Sequence, residues 1–208
     1  YRGAIEEGVV VTRYGFDVPT REIEVLQAAH PVPDAACGVA VDRMIEVLGK
    51  AQKDDLVVCL LCGGGSSLLS APVAGVSLAQ VQDITKQLLH SGADIAQMNT
   101  VRKHLNRALG GGLAKAAGEA KLLTLAISDV AYNDPSVIAS GPTIGDPTTL
   151  EDCLGLLDEF DIQADDNVLQ AFKNPENETP KPNDSIFENT SYQLIATPDL
   201  ALQEAKKY

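Results

Sequence analysis

The chain has 208 residues, of which 45% are hydrophobic and 4% aromatic, a balance that suits one sizeable α/β domain with an aliphatic core. Its formal charge of −13 argues against a nucleic-acid partner, because phosphate backbones select basic surfaces. No apolar run approaches the length of a membrane span and no secretory leader is visible, so a cytoplasmic protein with no membrane partner is expected.

Tyr1 is not methionine, and the expectation is a piece of a longer polypeptide. Gly8 to Thr12 and Arg21 to Gln27 read as strands. His30-Pro31-Val32-Pro33-Asp34 is a stiff loop whose aspartate caps a helix from Ala35 to about Leu48, with Val39, Val41, Met44, Ile45 and Leu48 on its apolar stripe. Asp54-Asp55 makes a turn before Leu56 to Leu61, which reads as a buried parallel strand.

That strand stops at Gly63-Gly64-Gly65-Ser66-Ser67, which reads as a tight turn into a helix start. Glycines let the backbone approach a ligand, and exposed N–H groups with a helix dipole attract anions. The plain alternative is a turn that needs small residues. It is not a P-loop, since no Gly-Lys-Ser/Thr follows, and Leu68 stands where the third glycine of a dinucleotide fingerprint belongs. Cys59 and Cys62 flank the strand end as C-x-x-C. Residues three apart point to opposite faces of a strand, so packing is favoured over redox or metal chemistry.

Ser77 caps a helix with Leu78, Val81, Ile84, Leu88 and Leu89 at helical spacing. A further helix is expected from Ile95 to Leu109, carrying the densest basic cluster of this acidic chain. On it Asn99, Arg102 and Asn106 would share one face, with Lys103 and Arg107 beside them. Such a face suits phosphate or carboxylate oxygens, though a solvated face is the commoner fate of a charge run. His104 is expected to be packed or exposed rather than a general base. Gly110-Gly111-Gly112 ends the helix and a short Ala-rich one follows.

Lys121 to Ile127 is another buried strand, leading into a polar loop from Ser128 to Thr149. Asp129 directly follows the strand, where a carboxylate can hold Mg²⁺ or accept a hydroxyl proton. Asp134 can assist the metal or cap a helix, Ser140, Gly141 and Thr143 can offer donors, and Asp146 reads as a turn residue. Helices are expected over Leu150 to Phe160 and Asn167 to Lys173, an exposed connection over Asn174 to Ser191, a strand from Tyr192 to Ala196 and a helix from Leu200 to Tyr208. The Asn177 and Asn189 glycosylation triplets are put down to chance. Strands alternating with helices indicate a three-layer α/β/α, Rossmann-like fold with a mostly parallel sheet, and ligands of such sheets bind at the carboxyl ends of the strands.

In chain order come Gly-Gly-Gly-Ser, Asn-x-x-Arg-Lys-His-Leu-Asn, Gly-Gly-x-Leu-Ala, Ser-Asp-Val and Asp-Pro-Ser-Val-Ile-Ala-Ser-Gly-Pro-Thr-x-x-Asp-Pro-Thr-Thr. This succession resembles the glycerate 2-kinases of the MOFRL type, many of them labelled hydroxypyruvate reductase. The resemblance implies ATP- and Mg²⁺-dependent phosphoryl transfer to the 2-hydroxyl of D-glycerate, in a cleft between two domains. It makes residues 1–208 the Rossmann-like large domain, with a lysine-bearing segment before it and the MOFRL domain after it both outside the chain, and the chain alone inactive. It supports Gly63, Gly64, Gly65, Ser66, Asn99, Ser140, Gly141 and Thr143 as substrate or nucleotide contacts. Arg102, Lys103 and Asp129 are then the catalytic candidates, and Asp129 with Asp134 the metal ligands. A homodimer is compatible with it. The rival readings are an NAD(P)H-dependent hydroxypyruvate reductase and a non-catalytic sugar-phosphate-binding module.

Overall fold

The computed structural model describes residues 5–207. Among the described residues five strands form two parallel sheets. β1 (Gly8–Arg13) pairs with β2 (Ile23–Ala28), and β3 (Leu56–Leu61), β4 (Lys121–Ile127) and β5 (Thr190–Ala196) form the second sheet in that order. The class is α/β, as the strand–helix alternation predicts, with the hydrogen-bonded ladder divided between two sheets.

Helix starts are set by side chains that answer orphan backbone donors. Asp34 caps α1 (Ala35–Leu48) by accepting from Ala36 N. Ser77 and Gln80 close a capping box on α3 (Leu78–Ser91), as do Asp94 and Gln97 on α4 (Ile95–His104) and Thr149 and Asp152 on α6 (Leu150–Glu159). α1 packs on β1, β2 and α5 (Gly112–Ala117). The largest core cluster fills the space between α3, α4, α6 and α7 (Asp166–Lys173) with Ile84, Leu88, Val101, Leu105, Leu157 and Phe172.

The three-stranded sheet is covered on one face. Leu61 and Ala126 are buried there with Cys59, Tyr192 and Leu194 against Ile138 and Ala139 of the long loop. On the opposite face Leu56, Val58 and Leu60 are 61%, 50% and 71% exposed. The expectation of a wholly buried strand is therefore corrected: β3 alternates, and the second helical layer of a three-layer fold is incomplete over it among the described residues. The same alternation turns Cys59 inward and half-buried, its thiol pushed up to about 11 by desolvation, while Cys62 is exposed. The packing reading holds for the first cysteine and not for the second.

Two expected helices differ at their ends. α4 stops at His104, five residues before the expected Leu109, because Leu105 N caps back onto Val101 O and the Asn106 amide turns away to donate to Leu69 O at 3.0 Å. The last helix, α8, spans Pro198–Ala205, and the expected end at Tyr208 lies outside the described residues. Among the described residues no helix is long and apolar enough to cross a membrane.

Candidate active site

Three chain segments meet where the strands end. The glycine turn follows β3, and α2 (Gly65–Leu68) is a single turn of helix, too short for the expected dipole to add much. Gly64 sits at φ +84°, a left-handed conformation that a side chain would strain. A Cβ on Gly63 would lie 2.1 Å from Asp129 Oδ2, one on Gly64 2.6 Å from His30 Nε2, and one on Gly65 2.7 Å from the Ala139 Cβ. The three glycines are required because the carboxylate after β4, an imidazole after β2 and the long loop all press onto this one bend. Ser66 Oγ and Ser140 Oγ are 2.7 Å apart and close the join.

The second glycine triplet zips the same loop in place. Gly110 N donates to Ser140 O at 3.0 Å, Gly111 N to Gly141 O at 2.8 Å and Leu113 N to Pro142 O at 2.9 Å. The opposing loop holds Ala139, Ser140 and Gly141 at φ of +51°, +58° and +61°. Two consecutive non-glycine residues in the left-handed region are costly by about 1–3 kcal/mol each, and such strain clusters at functional sites.

The candidates from sequence divide by surroundings. Asp129 is exposed and makes no hydrogen bond or ion pair among the described residues. Gly63, Gly64, Gly65, Ser66 and Ser140 line the join with it. Asp134 Oδ1 instead accepts from Ser136 N and Oγ at 2.9 and 2.8 Å, which is an Asx turn. No group of three or more His, Cys, Asp or Glu side chains suited to a metal gathers among the described residues. Thr143 is turned inward, accepting from Thr124 Oγ1 at 2.9 Å, so its hydroxyl belongs to the interior rather than to a pocket rim.

The basic cluster is split. Arg102 is half-buried, donates to Asn99 Oδ1 at 3.3 Å and has no carboxylate partner among the described residues. Burial lowers its pKa from the ordinary value. The shared helix face expected for Asn99, Arg102 and Asn106 is corrected, because Asn106 has left the helix and bridges to Pro72. Arg107 faces outward to Asp42 at 2.7 Å.

Lys103 lies inside, its Nζ 3.5 Å from Asp146 Oδ1, away from solvent at 7% exposure. Asp146 is fully buried and also accepts from Thr148 N and Oγ1 and from Thr179 Oγ1. The turn residue is thus also the hub of a buried network. His104 is packed in the same network, donating from Nδ1 to Thr100 O at 2.9 Å with Nε2 2.9 Å from Glu178 Oε1. Lys181 Nζ donates to Glu178 Oε1 at 2.6 Å and to Thr148 O.

Burial opposes ionisation of Glu178, but hydrogen bonds from Lys181, Leu150 N and His104 outweigh it and hold the carboxyl down at about 2. The folded value lies below the ordinary 4.5, so the stabilisation is complete above pH 4.5 and is lost as pH falls from there toward 2. The expected Tm gap between the unaltered protein and Glu178→Gln is therefore full at pH 6 and narrowed at pH 3. A gap that does not narrow removes Glu178 from the network.

The family model described as "Domain of unknown function (DUF4147)" matches residues 2–173. The chain belongs to the DUF4147 family. The DUF4147 chain is 46% identical over 198 residues to a putative hydroxypyruvate reductase of Agrobacterium vitis, covering 95% of this chain and 44% of that protein. It is 40% identical to the D-glycerate 2-kinase of Thermotoga maritima, covering 97% of this chain and 47% of the kinase. The crystal structure of the Thermotoga maritima glycerate kinase superposes with a TM-score of 0.89, again over 97% of this chain and 47% of that one. The chain spans about half the length of the curated relatives it matches.

His30, expected from the sequence only as part of a stiff loop and given no role there, stands over Gly64. It follows β2 in the stiff His-Pro-Val-Pro-Asp loop, whose Asp34 Oδ1 accepts from Ala29 N and Ala36 N. The available signal was a histidine in a proline-stiffened loop directly after a strand.

Proposed function

We propose that the protein carrying this chain transfers the γ-phosphoryl group of ATP to the 2-hydroxyl of D-glycerate, giving 2-phosphoglycerate. The supporting observation is the contact of the glycine turn with Asp129 and Ser140 at the carboxyl ends of β3 and β4, in a chain 40% identical to a D-glycerate 2-kinase.

Phosphoryl transfer needs positioning and charge neutralisation more than covalent chemistry. Backbone N–H groups of Gly63 to Ser66 hold an anion, either a nucleotide phosphate or the glycerate carboxylate. Ser140 and Gly141 fix the far side of that turn. Asn99 orients Arg102, whose guanidinium answers the charge that develops on the transferring group. Asp129 is the residue that would hold Mg²⁺. An exposed carboxylate without a protein partner suits a cation that keeps most of its ligands as water and phosphate oxygens. When bound, Mg²⁺ neutralises phosphate charge. Asp134 stands in an Asx turn and reaches the metal at most through water.

Lys103 acts by holding Asp146, and Thr143 by holding β4. The second wall of the cleft comes from a MOFRL-type domain of the same polypeptide, and the protein works in the cytoplasm, as a monomer or homodimer.

The Agrobacterium vitis relative's name favours a hydroxypyruvate reductase as the second reading. Against it, the turn lacks the third glycine and opens a single helical turn, leaving no long helix N-terminus for a pyrophosphate. A paired assay on the complete protein separates them. ADP release with ATP, Mg²⁺ and D-glycerate is expected, and NAD(P)H loss with hydroxypyruvate in its place overturns the proposal. Calorimetric binding of a phosphosugar with neither activity favours a binding module. In the active protein Arg102→Ala is expected to lower kcat about 10²-fold while Tm moves little, since one charge-stabilising donor contributes about that much. Unchanged turnover removes Arg102 from the mechanism.

A further inference from the structure

His30 stands over the same bend as Asp129. The strand ends bring two groups able to take a proton onto consecutive glycines: the Asp129 carboxylate over Gly63 and His30 Nε2 over Gly64. The contact is close enough that a Cβ on Gly64 would lie 2.6 Å from Nε2, so the imidazole edge rests on the turn itself. The loop that carries it is fixed from both ends. Asp34 accepts from Ala29 N at 3.3 Å, and Gln82 Nε2 donates to Pro33 O at 2.8 Å. The ring is exposed and makes no hydrogen bond among the described residues.

Other proton acceptors nearby are committed. Lys103 is buried in an ion pair with Asp146, and both nitrogens of His104 face partners in the interior. Asp129, once holding a divalent cation, is a poor base, because the cation withdraws its electrons. A neutral imidazole is suited to take a proton near neutral pH.

The geometry points to His30 as the group that accepts the proton of the acceptor hydroxyl in phosphoryl transfer at the Gly63–Ser66 turn. The inference rests on the kinase reading above. In the step, the 2-hydroxyl oxygen forms a bond to the γ-phosphorus, and the bond from that phosphorus to the β–γ bridging oxygen breaks, releasing ADP. The hydroxyl proton passes to Nε2 of an imidazole carrying its other proton on Nδ1, and then to water. Titratable groups on the elements that meet here include Asp129, Cys62, Cys37, Asp34 and Tyr14. The Tyr14 hydroxyl bond to Asp34 at 2.7 Å keeps that carboxylate below its ordinary pKa and the phenol above its own, so neither titrates between pH 5 and 8.

The test compares His30→Gln with the unaltered complete protein, and His90→Gln on the exposed last turn of α3 is the control. Removing the base is expected to lower kcat about 10²–10³-fold, with KM for D-glycerate within about threefold, and to abolish the acid limb of the kcat–pH profile. A retained acid limb, or a KM effect with unchanged kcat, overturns the inference. A readout independent of turnover is the imidazole NMR signal of His30, which is expected to shift on adding D-glycerate while those of His90 and His104 stay put. No shift at His30 also overturns it. Absence of ADP release from the unaltered protein overturns the kinase reading itself, which keeps the two failures distinct.

Discussion

Asp129→Asn in the complete protein is expected to lower kcat about 10²–10³-fold, equivalent to about 3–4 kcal/mol of transition-state stabilisation, with Tm unchanged. The argument is one of surroundings. The carboxylate is exposed and unpaired among the described residues, so folding gains little from its charge, and surface changes of this kind usually stay within about 0.5 kcal/mol. Asparagine keeps the shape over Gly63 and removes the charge. Gly63→Ala is the complementary change: a Cβ 2.1 Å from Oδ2 forces the carboxylate to swing away, so activity falls although the charge is kept. Loss in both variants assigns the effect to a charge at a fixed place. Full activity in Asp129→Asn, measured by ADP release, contradicts the role given to this residue.

The second large effect is on stability. Asp146→Ala is expected to cost about 3–5 kcal/mol, because it leaves the Lys103 ammonium buried without its carboxylate. At about 2–4 °C per kcal/mol for a chain of this size, the fall in Tm is about 6–20 °C. The loss has a second source, since Thr148 N and Oγ1, which shape the 146–148 turn, and Thr179 Oγ1, which ties that turn to residues 178–181, lose their acceptor. Adding Lys103→Met removes the uncompensated charge and is expected to recover part of the loss. A double variant no more stable than the single one in denaturant or thermal unfolding contradicts the buried pair as its cause.

Much of the fold was legible because local chemistry and tertiary packing agree. The Asp34 and Ser77 caps, the apolar spacing of α3 and the abrupt stop of β3 at three glycines each have a local physical cause. The outward exposure of Leu56, Val58 and Leu60 was not legible, since a continuous apolar run cannot say which of its faces is covered. Nor was the end of α4, where the Asn106 side chain finds a better acceptor at Leu69, a residue 37 positions earlier.

At the site the sequence ordered the motifs but could not sort their charges. Arg102 and Lys103 are neighbours in the chain and read alike, yet one is left half-buried without a carboxylate among the described residues and the other is drawn inside by Asp146, 43 residues on. Asp146 read as a turn residue because aspartate before proline favours turns, and its side chain does accept from Thr148. Its burial comes from Lys103 and Thr179, which local spacing cannot show. His30 was missed for the same reason. Its place over Gly64 depends on two strands from different sheets ending side by side.

The account stands on the glycine turn, Asp129 and the Ser140 loop forming one anion site. A crystal structure of the complete protein with D-glycerate and a non-hydrolysable ATP analogue tests this most directly. The expected result is a phosphate or carboxylate group within hydrogen-bond distance of the Gly63–Ser66 amides, with Asp129 facing the nucleotide phosphates. Both ligands bound elsewhere, with that turn contacting neither, would contradict it.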